Sequence, residues 1–254
     1  MKTSILEYLE ESARKYPDKT AFADEHTSCT FKELKQTARR TGTALAKHFT
    51  PRNPVPVFME KSVETIGVFM GAVYAGCFYV MIDPEQPLER LKDILTVLET
   101  DLVITDSTYR HQLDDAGYQG QIYLLEEEPS DEAVTAQELD KLMERRSFAK
   151  NTDLLYGIFT SGSTGKPKCV AVSHQAVIDF IGHFTKQFQI TDRDRIGNQA
   201  PFDFDVPTLE CLLQSIGRKE ENKDIKFTQT SSGTIFLYSD KYLLSMYHFS
   251  EGHR

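Results

Sequence analysis

Apolar residues recur at Ile5, Leu6, Leu9 and Ala13 among Glu7, Glu10, Glu11 and Arg14, the spacing of an amphipathic helix near the amino terminus. Thr20 to Ala23 and Ser28 to Phe31 flank the polar triplet Asp24-Glu25-His26, which predicts a small hairpin. Lys32 to His48 then predicts a helix whose stripe is Leu34, Ala38, Leu45 and Phe49. From Ile66 to Ile82 the chain carries no charge, close to the lower limit of about 17 residues for a membrane span. Gly67, Gly71 and Gly76 interrupt that run and Asp83-Pro84 ends it. The pattern therefore predicts a buried helix (Val63 to Ala75), a glycine turn and a buried strand (Phe78 to Ile82).

The same rhythm continues. Val55 to Met59, Leu102 to Thr105 and Gln121 to Leu125 predict strands, and Leu88 to Leu98 a helix. The acidic run Glu126 to Glu132 predicts a solvated linker. Leu154 to Phe159 and Cys169 to Val172 predict two strands joined by the loop Thr160 to Lys168, followed by a helix over Gln175 to Phe188 capped by Ser173. Beyond Gln214 the rhythm changes: Arg218 to Asp224 is charged, and Ile225 to Tyr238 alternates weakly around Ser231-Ser232-Gly233, as a hairpin does. There is no internal repeat. Short apolar runs alternating with amphipathic segments predict an α/β fold of layered mixed sheets flanked by helices.

Composition narrows the function classes more than it names one. A length of 254 residues, 40% hydrophobic and 26% charged, fits an ordinary globular protein of one large or two smaller domains. The net charge of -9, from 29 basic and 38 acidic residues, repels nucleic acids and anionic membranes, so neither is an expected partner. A phosphate ligand would need a local device. Cys29, Cys77, Cys169 and Cys211 are scattered with no C-x-x-C pair, and no signal-peptide block precedes the first helix; both features predict a reduced, cytoplasmic protein.

The loop Thr160-Ser161-Gly162-Ser163-Thr164-Gly165-Lys166-Pro167-Lys168 combines four hydroxyls, two glycines and two lysines between two strands. Phosphate oxygens are met by that mixture: glycines admit close backbone approach, hydroxyls donate, and lysines neutralise charge. It is not a Walker A loop, because the glycines are too close together and a strand follows where that motif has a helix. Composition alone leaves a second reading, a polar turn with no ligand.

The run Tyr156 to Lys168 closely resembles the phosphate-loop signature of the adenylate-forming enzymes, the AMP-binding superfamily of acyl-CoA ligases, luciferases and amino-acid adenylation domains. Three further segments resemble that family in its own order: Thr30-Phe31-Lys32-Glu33-Leu34, then Ala75 to Pro84, then Asn198-Gln199-Ala200-Pro201-Phe202-Asp203-Phe204-Asp205. The second and fourth are most similar to the amino-acid branch, the D-alanine-carrier protein ligases and peptide-synthetase adenylation domains. The first lies near the start of the chain, which suggests a free-standing protein. The resemblance implies ATP and Mg2+ as cofactors and an amino acid as substrate, with transfer of the acyl group to the phosphopantetheine thiol of a carrier protein. It places Thr160, Ser161, Gly162, Ser163, Thr164, Gly165 and Lys168 on the β- and γ-phosphates, and Asp205 on the substrate's α-ammonium. A buried ammonium beside apolar walls needs such a partner. Asp205 equally suits the cap of a helix beginning near Val206, and Asp203 is the alternative in register. His174 reads as a helix-start residue rather than a catalyst, because no nucleophile pattern accompanies it.

The resemblance has limits. Cys169 stands where the family usually has glycine, and Pro207 where the amino-acid branch usually has serine. The match covers residues 1–210, a partial N-terminal adenylation domain, and residues 211–254 form a divergent tail. That tail lacks the family's Tyr-Gly-Pro-Thr-Glu type segment, its ribose-binding aspartate and its C-terminal domain with the catalytic lysine. Three functions stay open: an amino-acid-activating ligase incomplete in this chain, a non-catalytic remnant that binds nucleotide or a partner, and a carboxylic acid–CoA ligase.

Overall fold

The computed structural model describes residues 2–128, 130, 134–160 and 166–187, and the backbone of 235–239 and 242–247. Six strands form one sheet in the order β6-β5-β3-β4-β7-β8, where β3 is Pro54–Phe58, β4 Phe78–Ile82, β5 Leu102–Thr105, β6 Gln121–Leu124, β7 Leu154–Thr160 and β8 Lys168–Ser173. The first five run parallel, and β8 returns antiparallel along β7 at the edge. This is the layered α/β fold with flanking helices that the alternation of segments predicts.

Period-two burial divides the sheet into two faces. Val55, Val57, Tyr79, Met81 and Ile104 pack with helices α1 (Leu6–Lys15), α2 (Phe31–Leu45), α3 (Val63–Tyr74), α6 (Ala136–Ser147) and α7 (His174–Gln187). Phe58, Val80, Ile82 and Val103 pack on the other face with α4 (Leu88–Leu98) and α5 (Arg110–Asp115). A separate antiparallel pair, β1 (Thr20–Ala23) and β2 (Ser28–Thr30), is the predicted first hairpin.

Local chemistry sets the helix ends. Thr30 accepts from the Glu33 N–H at 3.2 Å while Glu33 accepts from the Thr30 N–H at 2.8 Å, a capping box that starts α2. Ser62 caps α3 through the Thr65 N–H at 3.1 Å. Gly76 stops α3 with φ of +72°, a left-handed geometry that glycine adopts without strain, and the chain turns straight into β4. The uncharged run from Ile66 to Ile82 is thus a buried helix, a glycine turn and a buried strand. No helix among the described residues is long and apolar enough to cross a membrane.

Two arginines on α6 tie the helical layer together. Arg145 donates to the carbonyls of Ala75, Ala46 and Phe49, neutralising the carboxyl ends of α2 and α3 at once. Arg146 meets Glu10 of α1 at 2.6 Å, and the Tyr74 hydroxyl donates to the same Glu10 oxygen at 3.0 Å. Neither α5 nor α6 is anticipated by the apolar pattern.

The acidic run after β6 needs correction. Glu128 is not solvated: its side chain is 4% exposed and accepts from Arg40 Nε and Thr41 Oγ1 on α2, each at 3.0 Å. Glu126 accepts from the Ser107 N–H and hydroxyl, each at 2.9 Å. Glu126 and Glu128 are thus pinned, while Pro129, Asp131 and Glu132 lie outside the described residues. Residues 225–234 of the predicted tail hairpin lie outside the described ones, and β9 (Ile235–Ser239) pairs antiparallel with β10 (Tyr242–Tyr247).

Candidate functional site

The parallel pairing of β4 with β7 (Tyr79 beside Tyr156, Val80 beside Gly157) aligns the carboxyl ends of these strands. The turn from β4 into α4 therefore sits beside the loop that leaves β7. Ligands of open α/β sheets bind at this edge, where loops converge on strand ends. Antiparallel pairing of Phe159 with Cys169 and Thr160 with Lys168 then closes the loop at its base.

Two of the predicted phosphate-binding residues fall within the described structure, and they face each other. Thr160 is the exposed last residue of β7, Lys168 the exposed first residue of β8, and the Thr160 hydroxyl donates to the Lys168 carbonyl at 3.4 Å. Lys166 is exposed, and Pro167 is buried between the two lysines. Ser161, Gly162, Ser163, Thr164 and Gly165 lie outside the described residues, as do Asp203, Asp205 and Pro207. The loop's base thus presents one hydroxyl and two ammonium groups.

The neighbouring strand ends carry the opposite charge. Burial first, then a hydrogen bond to Glu60 and the charges of Glu60, Asp106 and Glu85, push the Tyr109 phenol above the ordinary tyrosine range. Beside these acidic groups, the cations at the loop are the local device an anion requires. A third cation belongs with them: Arg90 on α4 donates from Nη2 to the Phe159 carbonyl at 3.3 Å. Sequence reasoning passed over Arg90. The signal available was its place in the first turn after Asp83-Pro84, at the end of a buried strand.

Cys169, where the family usually has glycine, is accommodated from across the ladder. A Cβ placed on Gly157 would lie 2.7 Å from the Cys169 sulfur, so the absent side chain at 157 makes room for the one at 169. The residue is exposed as a whole, yet its sulfur is tucked against that strand, and burial raises the thiol's pKa above the ordinary value.

His174 opens α7 and is 3% exposed. Its N–H donates to the Asp153 carbonyl at 3.0 Å, and its Nδ1 accepts from the Ile5 N–H at 3.3 Å. It locks the amino-terminal segment onto the end of β8, in keeping with a helix-start residue. Burial lowers its pKa to about 4, opposed by the Asp153 carboxylate. Since the folded value lies below the ordinary 6.5, the unfolded chain takes up the proton first as pH falls. Stability is full above pH 6.5 and is lost as pH drops toward 4, by up to about 3 kcal/mol. Denaturant melts between these values are expected to show that slope, and His174→Asn, which retains an acceptor but does not titrate, is expected to flatten it.

The family model described as AMP-binding enzyme matches residues 9–217, and a second, described as YdhW C-terminal domain, matches residues 191–250. The chain belongs to the AMP-binding enzyme family. It is 34% identical over 211 residues to tyrocidine synthase 1 of Brevibacillus parabrevis, covering 83% of this chain and 19% of that protein. It is 29% identical to the D-alanine--D-alanyl carrier protein ligase of Listeria monocytogenes serotype 4b (strain F2365), covering 83% of this chain and 41% of the ligase. Among solved structures, the nonribosomal peptide synthetase FmoA3 (S1046A) in its AMPPNP-bound form superposes with a TM-score of 0.72 at 25% identity, over 85% of this chain and 22% of that one. The chain therefore spans less than half the length of each of these relatives.

Proposed function

We propose that this chain carries the ATP-phosphate cradle and the amine-recognition residue of an amino-acid-activating unit, D-alanine being one candidate substrate. The observation that carries the reading is the loop base: Thr160 and Lys168 paired at a carboxyl-terminal sheet edge, with Lys166 beside them. In this reading the hydroxyls of Thr160, Ser161, Ser163 and Thr164, the backbone of Gly162 and Gly165, and Lys168 hold the β- and γ-phosphates of ATP. Positioning and charge neutralisation are the means by which such a site promotes chemistry at phosphorus. ATP supplies the adenylyl group that joins the substrate carboxylate as pyrophosphate departs.

The donor set at the loop base, hydroxyl and ammonium, suits a polyphosphate. In this reading Mg2+ would share the charge of the bound phosphates with Lys168. Asp205 pairs with the α-ammonium of the substrate, and the acyl acceptor is the phosphopantetheine thiol of a carrier protein. Residues 1–210 act as a partial adenylation domain and residues 211–254 as a divergent tail. A cytoplasmic setting accords with that chemistry.

Isothermal titration with amino acids tests the substrate class. Asp205→Ala is expected to weaken binding by roughly tenfold or more, the worth of a charge-assisted hydrogen bond, with Asp203→Ala close to wild type. Loss on Asp203→Ala alone would move the amine site by one strand alternation. Indifference to both, with a fatty or aryl acid bound instead, would favour the CoA-ligase alternative.

A further inference from the structure

We propose that Arg90 is the positioning residue that fixes the opening end of the phosphate loop and sets a third cation at its mouth; this rests on the reading of that loop as a phosphate cradle. The topology brings Arg90 there. Parallel pairing of β4 and β7 aligns their carboxyl ends, and α4 begins six residues after β4 ends, at Leu88. Arg90 in its first turn reaches across to the Phe159 carbonyl at 3.3 Å.

That carbonyl is a consequential place to hold. In a planar trans peptide the C=O of one residue and the N–H of the next point in opposite directions. Fixing the Phe159 carbonyl therefore fixes the Thr160 N–H and the peptide plane by which the chain enters Thr160. At the other end, the base is held by the Thr160–Lys168 pairing and the Thr160 hydroxyl. Arg90 thus braces the strand that feeds the loop from outside the hairpin, which the ladder alone does not do.

The charge of Arg90 points the same way. Its side chain is half-buried, and among the described residues it forms no ion pair, although this sheet edge carries Glu60, Glu85 and Asp106. One carbonyl engages one of the five guanidinium N–H donors. Bonded, among the described residues, only to a neutral carbonyl, the half-buried guanidinium keeps its charge available for an anion at the loop base beside Thr160 and Lys168.

Two measurements on the full 254-residue chain decide the matter. Amide hydrogen exchange of the nucleotide-free protein reads the brace: Arg90→Met is expected to speed exchange over residues 157–160 by about tenfold, with Arg90→Lys, which keeps a charged donor on a shorter reach, intermediate. Titration with a non-hydrolysable ATP analogue, inorganic pyrophosphate and AMP reads the ligand side. Arg90→Met is expected to weaken the first two by about tenfold and leave AMP unchanged, a split that general destabilisation would not produce. Unchanged exchange in Arg90→Met overturns the brace, and equal losses for ATP analogue and AMP overturn the phosphate-directed role. If the wild-type chain binds none of the three, the phosphate-cradle reading fails and exchange alone decides Arg90. Should Arg90→Met not fold, Arg90→Lys and Arg90→Gln carry the same comparisons.

Discussion

Gly42→Ala is expected to destabilise the protein by about 2–3 kcal/mol, the upper part of the range for overpacking a filled interior. A Cβ at Gly42 would lie 2.8 Å from the Tyr74 Cβ and 2.9 Å from the Gly71 carbonyl oxygen, so α2 and α3 would have to part. The complementary position is as tight, since a Cβ at Gly71 would lie 2.7 Å from Thr41. Tyr74 cannot yield easily, because it is fully buried and its hydroxyl donates to Glu10. Gly182 supplies the control. It occupies an exposed position of α7 with nothing inside 4 Å of its virtual Cβ, so Gly182→Ala is expected to stabilise by about 0.5–1 kcal/mol through helix propensity. Urea denaturation of both variants, compared at equal m-value, checks the pair.

These glycines mark what a sequence discloses and what it withholds. Gly76 reads directly as a turn, because an uncharged helical run stops there and a strand run starts. Gly42 reads as an ordinary helix residue; its function emerges only when another helix, distant in sequence, lies against it. The same holds for ion pairs. The Thr30–Glu33 capping box spans four residues and is visible in the sequence, whereas Glu128 meets Arg40 across 88 positions, where the acidic composition alone predicts a solvated linker. Helix α6 escaped notice because only Leu142 among its residues is buried, too few for a stripe, although Thr135 and Glu138 form a capping box at its start. Helix α5 is six residues long with Leu113 alone buried. The loop and its flanking strands were legible from composition and resemblance together, and Arg90 was not, because its significance lies in a neighbour 69 positions away.

Lys168→Met is expected to weaken binding of a non-hydrolysable ATP analogue by at least about tenfold, and Lys166→Met by less. Lys168 begins β8 and pairs with Thr160, so its backbone is held in register by the ladder while its exposed ammonium is free to meet a phosphate. Lys166 lacks such anchoring and sits two residues before the strand, ahead of the buried Pro167. Methionine keeps the length and apolar stem of lysine and removes only the charge. Folding should be little affected, because both lysines are exposed. The binding deficit of Lys168→Met is expected to shrink as ionic strength rises, since screening weakens exposed charge–phosphate attraction in the wild type as well.

The most direct measurement compares the affinity of the wild-type chain for a non-hydrolysable ATP analogue with that for AMP, by isothermal titration at low salt. If the hydroxyl- and lysine-bearing connection between β7 and β8 grips a polyphosphate tail, the analogue binds at least about tenfold more tightly than AMP, and Lys168→Met collapses most of the difference. Equal affinity for the two ligands, or a preference for the analogue that survives Lys168→Met intact, would contradict it.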